Sequence, residues 1–321
     1  MSGVALSPLP VGVPVLLATA VGTTLCCASA NTFNQITEVP FDAQMARTRN
    51  RPLVRKAVSP LHAACFGVVT GVAGPAILLA YAGPVTAALG LGNIILYAGL
   101  YTALKRRSVV NTWVGGIVGA IPPLMGWSAC GSSLLPSTTT PMSIYLPPFL
   151  NSTDLATYIS TQLPALSHGL ATTTPLIDNP LCPLALFLFH YAWQFPHFNP
   201  LSHLVRSSYA QAGYAMLTVI DPKKNALVSL RHSILLLFLS SFLIPLSGLT
   251  DWTFAITSLV PNAVLMGWSW KFYRNGTEKV ARTLFGHSLL YLPVMLGLMM
   301  YHKRGMDWTT WFDRQDDKEK E

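Results

Sequence analysis

Asn34, Glu38 and Asp42 stand at i, i+4 and i+8, with Arg47, Arg49 and Arg51 a few residues further on. On a helix each step of four advances about 400°, so the amide and both carboxylates share one narrow face. Carboxylates with an amide suit Mg²⁺, a hard ion bound through one or two carboxylates plus substrate phosphates. Neighbouring arginines take the remaining phosphate charge, often in bidentate fashion. Tyr101 and Lys105, again at i and i+4, are followed by Arg106 and Arg107. A third polar run, Trp193-Gln-Phe-Pro-His197-Phe-Asn199, continues through His203 and Arg206 to Tyr209. Taken singly, Lys105–Arg107 reads as a topology signal and His197 as a hydrogen-bonded helix-end histidine. Their convergence on one side of the chain is what favours a site.

The elements that must position these groups are apolar. Hydrophobic residues make up 51% of the 321 and charged residues 11%, against about 25% charged in a soluble domain. An all-α, polytopic membrane bundle follows. Spans are expected at roughly 9–33, 61–83, 85–104, 109–130, 181–201, 228–249, 252–272 and 283–302, each near the ~20 residues a bilayer core needs. If these alternate, Arg47 to Lys56, Lys105 to Arg107, Arg206 to Arg231 and Lys271 to Arg282 fall on one side. The opposite loops, near Gly83, over 131–180 and at Thr250-Asp251, hold no Lys or Arg. The positive-inside rule places the Asn34–Asp42 face on the cytoplasmic-type side, the matrix side in a mitochondrion.

The net charge of +8 is therefore one basic face suited to anionic substrates or lipid headgroups, and gives no nucleic-acid signature. The five cysteines lack metal-ligand spacing and read as packing residues. Gly67/Gly71 and Gly115/Gly119 read as places where helices approach closely. Pro122-Pro123 is expected to kink its span, and Pro40 to interrupt the helix carrying Glu38 and Asp42. The domain is expected over 1–302, broken by a Ser/Thr/Pro-rich loop at 131–180, with a charged tail at 303–321. The N-terminus lacks the Arg-rich, Ser-rich pattern of a transit peptide.

A metal-holding acidic face beside cations and an apolar cavity suits departure of a diphosphate from an allylic carbon, where developing negative charge needs stabilising. This favours transfer from a prenyl diphosphate and leaves another phosphorylated lipid open. Asn34-xxx-Glu38-xxx-Asp42-xx-Met45-x-Arg47-Thr48-xx-Arg51-Pro52-Leu53 resembles the first acidic motif of the UbiA-type prenyltransferases. Within them it is similar to the mitochondrial protoheme IX farnesyltransferase (heme O synthase) branch. The likeness continues through Tyr101-Thr-x-Leu-Lys-Arg-Arg-Ser, Asn111-Thr-Trp-Val-Gly, Gly119-Ala-Ile-Pro-Pro-Leu-Met-Gly-Trp127, Trp193 to Asn199, Ala212-Gly-Tyr and Ser229-Leu-Arg-His232.

The resemblance implies a helical bundle around a cavity that converts heme B to heme O with farnesyl diphosphate and Mg²⁺. The setting it implies is the mitochondrial inner membrane, with the site toward the matrix and a heme A synthase as a partner. Asn34, Glu38 and Asp42 would be the catalytic, metal-holding set. Arg47, Arg51, Lys105, Arg106 and Tyr101 would take the diphosphate, and His197, Asn199 and Tyr209 would lie on the heme side. The chain departs from the family in three ways. Eight spans stand where the family has nine, as if Met1 opened a truncated chain lacking the first. The 131–180 loop is long. Arg206-Ser207-Ser208-Tyr209 carries serines where the family's second acidic patch has acids or amides, with Asp221 the nearest substitute. Two other readings stay open: a UbiA-type enzyme with another acceptor, and a catalytically silent binder of heme or prenyl lipid. No repeated halves support a transporter.

Overall fold

The computed structural model describes residues 1–147 and 178–305; the middle of the 131–180 loop and all but the first residues of the tail lie outside them. The described residues are helical, apart from connections and one isolated β-bridge between Thr250 and Lys303. A short helix α1 (Ser2–Leu6) precedes α2 (Val13–Asp42), α3 (Pro60–Ala82), α4 (Pro84–Leu104), α5 (Asn111–Ala129) and α6 (Leu181–Leu204). Two short helices, α7 (Arg206–Gln211) and α8 (Leu217–Ile220), lead into α9 (Pro222–Leu246). The chain closes with α10 (Thr253–Thr257), α11 (Leu259–Asn275) and α12 (Glu278–Tyr301).

Among the described residues eight long helices stand where the eight apolar runs are. By length and hydropathy alone, α2, α3, α4, α9 and α12 suffice to cross a membrane. The others are shorter or more polar: α11 has 17 residues, and α6 carries three histidines, a glutamine and three prolines along its length. That polarity suits a helix surrounded by protein, and α6 buries Phe189, His190, Phe195 and Asn199. Apolar side chains face outward instead on α3, where Val68, Val69, Val72 and Leu79 are all exposed. Such a face belongs in lipid.

Local chemistry sets the ends. Gly83, at φ 91°, ends α3, and Pro84 opens α4 directly after it. Ser59 caps α3 by accepting from the His62 amide, and Asp221 caps α9 by accepting from the Lys224 amide. Inside the bundle small residues and hydroxyls join the helices. Gly74 comes up against the Gly22 carbonyl, where a methyl would stand 2.9 Å away. Ser29 donates to the Gly67 carbonyl, Ser233 bonds Ser269, and Tyr291 donates to Asn262. Gly67 and Gly71 face Phe33 and Ser29 of α2, so that stripe is a packing surface. The described ends of the long loop are tied down: Asp178 accepts from the Ser133 amide, and Asn179 bridges Ser143 and Ser247.

Candidate active site

The acidic face forms at the end of α2. Asn34, Glu38 and Asp42 are 3%, 5% and 1% exposed and point inward together. The interruption expected at Pro40 does not occur. Pro40 lies in the last turn, and the next ladder bond, Ala43 N–H to the Val39 carbonyl at 3.1 Å, is made. A proline there removes one hydrogen bond near a terminus where few remain to be lost. The helix thus carries all three residues in register.

Each carboxylate has one cation. Arg51 donates to Asp42 Oδ2 at 2.6 Å, and Lys105 Nζ lies 3.0 and 3.2 Å from the two oxygens of Glu38. Asp42 Oδ1 is buried with no hydrogen-bond partner. The turns after α2 return Arg51 to the helix end, with Thr48 donating from its side chain to the Asp42 carbonyl. Lys105 arrives from the end of α4, above the Tyr101 ring at 4.7 Å. Burial holds its ammonium below the ordinary lysine range, and Glu38 partly restores it. Arg106 sits over the Phe41 ring at 4.7 Å.

A wide turn aims Lys105. Residues Ile95–Tyr101 form a π-helical stretch within α4, a distortion that recurs at functional sites. Thr102 follows it, donates to the Tyr97 carbonyl at 2.8 Å and accepts from Asn34 Nδ2 at 2.9 Å. Asn34 is thereby oriented by the same segment that supplies Lys105.

The third side is the connection after α6. Met45 packs with Tyr209, Ala212, Tyr214 and Met216 in one buried cluster. Lys105 O accepts from the Ala215 amide at 2.7 Å, and Asn111 donates to the Ala215 carbonyl at 3.1 Å. Tyr209, expected on the acceptor side, lies instead with the acidic face. Burial pushes its phenol up, while the neighbouring Arg47 guanidinium pulls it down. Burial, then Glu38, likewise pushes Tyr214 up. Ser207 is exposed and Ser208 half-buried on α7. Asp221 is exposed and engaged as the α9 cap. On the basic side only Glu38 and Asp42 are buried acids among the described residues.

Beside this face lies a cavity of about 310 Å³ lined by Tyr97, Tyr101, Thr112, Gly115, Gly116, Gly119, Trp193, Gln194, Phe195, His197 and Phe198. A second, of about 190 Å³, shares Tyr97 and Gly119 and runs along Cys26, Ala30, Gly90 and Met125. His197 stacks on Trp193 at 4.7 Å, and its Nδ1 lies 3.0 Å from Ser288 Oγ. Ser288 gives its proton to the Phe285 carbonyl, so His197 Nδ1–H donates and Nε2 keeps its lone pair. Asn199 is not among the cavity residues. It donates to the Asn225 carbonyl while Asn225 donates back, both at 3.0 Å, so it ties α6 to α9.

Gly115 and Gly119 serve the cavity more than helix packing: a methyl on Gly115 would stand 2.9 Å from the Tyr101 ring and one on Gly119 2.3 Å from Gln194 Oε1. Gly119→Ala is therefore expected to swing Gln194 off the Gly116 carbonyl it now donates to at 2.8 Å. The lost bond costs about 1 kcal/mol, read as a slightly lower Tm. The larger effect falls on acceptor KM, expected to rise roughly tenfold because the amide enters the cavity; one tenfold step corresponds to 1.4 kcal/mol of binding. An unchanged KM would show that Gln194 does not border the acceptor.

Thr102, Tyr97, Phe41, Tyr214, Gln194 and Ser288 complete the site without having been singled out from sequence. Thr102, Gln194 and Tyr214 stand inside quoted motifs without a role assigned to them; Tyr97, Phe41 and Ser288 give no spacing signal, because they arrive from separate helices. Among the described residues no group of three His, Cys, Asp or Glu forms a metal cage.

Comparison with known proteins bears on the family and the fold. The model of the UbiA prenyltransferase family matches residues 1–163 and 159–293. The mitochondrial protoheme IX farnesyltransferase of Eremothecium gossypii is 40% identical over 95% of this chain and 64% of its own length. That of Homo sapiens is 41% identical over 94% of this chain and 58% of its own length. The chain thus spans about three fifths of the length of these curated relatives. Among solved structures, a digeranylgeranylglyceryl phosphate synthase superposes with a TM-score of 0.63 at 13% identity, covering 94% of this chain and 90% of that one. A UbiA homolog from Archaeoglobus fulgidus bound to DMAPP and Mg²⁺ gives 0.52 at 12% identity, covering 93% and 91%. At such identities the likeness is one of fold.

Proposed function

Since the chain belongs to the UbiA prenyltransferase family, we propose that it transfers the farnesyl group of farnesyl diphosphate to a vinyl group of protoheme IX, giving heme O. The relatives named for that reaction support the substrates. The observation that carries the reading is the pair of buried carboxylates at the end of α2, each held by one cation, beside an apolar cavity with His197 in its wall.

The residues fit Mg²⁺. Asp42 Oδ1 is a buried acceptor without a partner, Glu38 and Asn34 share its face, and a cage with so few carboxylates draws its other ligands from phosphate and water. Asn34, Glu38 and Asp42 would hold the ion, which when bound neutralises charge on the departing diphosphate. Arg47, Arg51, Lys105 and Arg106 grip the phosphate oxygens. As the C1–O bond of farnesyl diphosphate breaks, the electron pair leaves with the diphosphate. The vinyl carbon bonds to C1, and water adds to the resulting benzylic-type cation and loses a proton. Among the described residues lining the cavity, His197 is the one basic nitrogen able to take that proton, at Nε2. Tyr97, Tyr101 and Phe195 wall the reacting carbons and keep stray water out.

We place the chain in the mitochondrial inner membrane with this site toward the matrix, the reading favoured by the basic loops and by its mitochondrial relatives. Heme O would pass to a heme A synthase. The test is complementation of a cell lacking heme O synthase, with hemes extracted and identified. Restored heme O is expected; heme or prenyl lipid retained without heme O would favour the silent binder, for which Ser207-Ser208 speaks. Ser207→Glu with Ser208→Asp is expected to raise the rate by up to about fivefold, one added favourable charge contact being worth roughly 0.2–1 kcal/mol. No gain would mean the serines cost nothing.

A further inference from the structure

We propose that the outward groove between α11 and α12 holds an acyl chain of an anionic phospholipid whose phosphate rests at Lys271. The groove, of about 130 Å³, is lined by Pro261, Val264, Leu265, His287, Leu290 and Tyr291, with Val294 at its far end. Val264 and Leu290 are 44% and 69% exposed, so the slot opens to the bilayer and not to the bundle core. On α11 positions 261, 264, 268 and 271 succeed one another at helical spacing, which puts Trp268 and Lys271 on the stripe of the groove and toward the basic side. Trp268 meets His287 of the groove wall, ring to ring, at 5.3 Å. Lys271 Nζ stands 4.3 Å above the same indole. On α12, steps of four lead from Tyr291 through His287 and Thr283 to Lys279, so a second cation ends the facing stripe.

Two independent features therefore meet: an apolar slot at chain depth and a cation on an indole where the bilayer's polar border falls. Lys271 forms no ion pair with a described carboxylate. A zwitterionic headgroup brings its own ammonium and gains little there, whereas an anionic one gains the full attraction. Free phosphate lacks the chain that fills the slot. The groove lies away from the acidic face on α2, and nothing in farnesyl transfer uses it.

Native mass spectrometry of the full chain, released from micelles holding equal phosphatidylcholine and phosphatidylglycerol, tests this. Wild type is expected to retain phosphatidylglycerol about fivefold over phosphatidylcholine, the scale of one lysine at an anionic surface. Lys271→Gln is expected to bring that ratio near one. Leu290→Trp, which fills the exposed slot, is expected to lower retention of both lipids. Lys224→Gln, on another basic turn, is expected to leave the ratio as in wild type. The proposal is overturned by equal retention in wild type, by an unchanged ratio in Lys271→Gln, by an equal fall in Lys224→Gln, or by displacement with inorganic phosphate.

Discussion

Asp42→Ala is expected to lower Mg²⁺-dependent heme O formation about 10³-fold. Asp42 is 1% exposed, and one of its oxygens has no protein partner, so the side chain is held ready for something other than Arg51. Metal bound to a departing phosphate supplies several kcal/mol of charge stabilisation, and roughly 4 kcal/mol off the barrier is a factor of 10³. The fold is expected to survive, because Arg51 is 32% exposed and can turn to water once its partner is gone. The measurement is extracted heme O against Mg²⁺ concentration, with thermal unfolding in detergent alongside. Undiminished heme O at every Mg²⁺ concentration would remove Asp42 from the metal site.

Lys105→Met is expected to cost stability as well as activity. The side chains of Glu38 and Lys105 are 6% and 11% exposed, so removing the ammonium leaves a carboxylate buried beside Tyr101 and Tyr214 without its counter-charge. Breaking a buried pair from one side costs about 3–5 kcal/mol, whereas replacing both members by neutral groups is often nearly free. Lys105→Met is therefore expected to lower the unfolding temperature by several degrees, and Glu38→Gln added to it to restore most of that. Heme O formation is expected to be lost in both, since the double variant lacks the acid and the phosphate cation alike. A double variant as unstable as the single one would show that the ion pair is not what holds α2 against α4.

Much of this was legible because the signals were periodic or electrostatic. Eight apolar runs became eight long helices, and the spacing of Asn34, Glu38 and Asp42 gave a shared face that the helix keeps. The basic loops placed Arg51 and Lys105 on that side before any contact was known. What stayed hidden depends on depth along a helix or on contacts between distant segments. Pro40 looked disruptive, but its cost depends on how many ladder bonds remain beyond it, and there were almost none. Tyr209 follows the His197 motif in sequence, yet α7 carries it to Met45 and the acidic end. Asn199 shares a motif with His197, but two residues on a helix turn it about 200° away, toward Asn225. The glycines of α5 looked like helix contacts; only side chains from α4 and α6 reveal them as a cavity floor.

The wide turn at Ile95–Tyr101 makes residue count, and not just residue type, part of the site. A π turn spends one residue more than an α turn, so the same stretch wound regularly would rotate everything after it by about 100°. Lys105 would then leave Glu38, and Thr102 would leave Asn34. The α4 segment can therefore change many of its outward side chains, Ile95 and Leu100 among them, while its length between Tyr97 and Lys105 is fixed. Single-residue insertions and deletions there act on the chemistry as strongly as a substitution of the lysine itself.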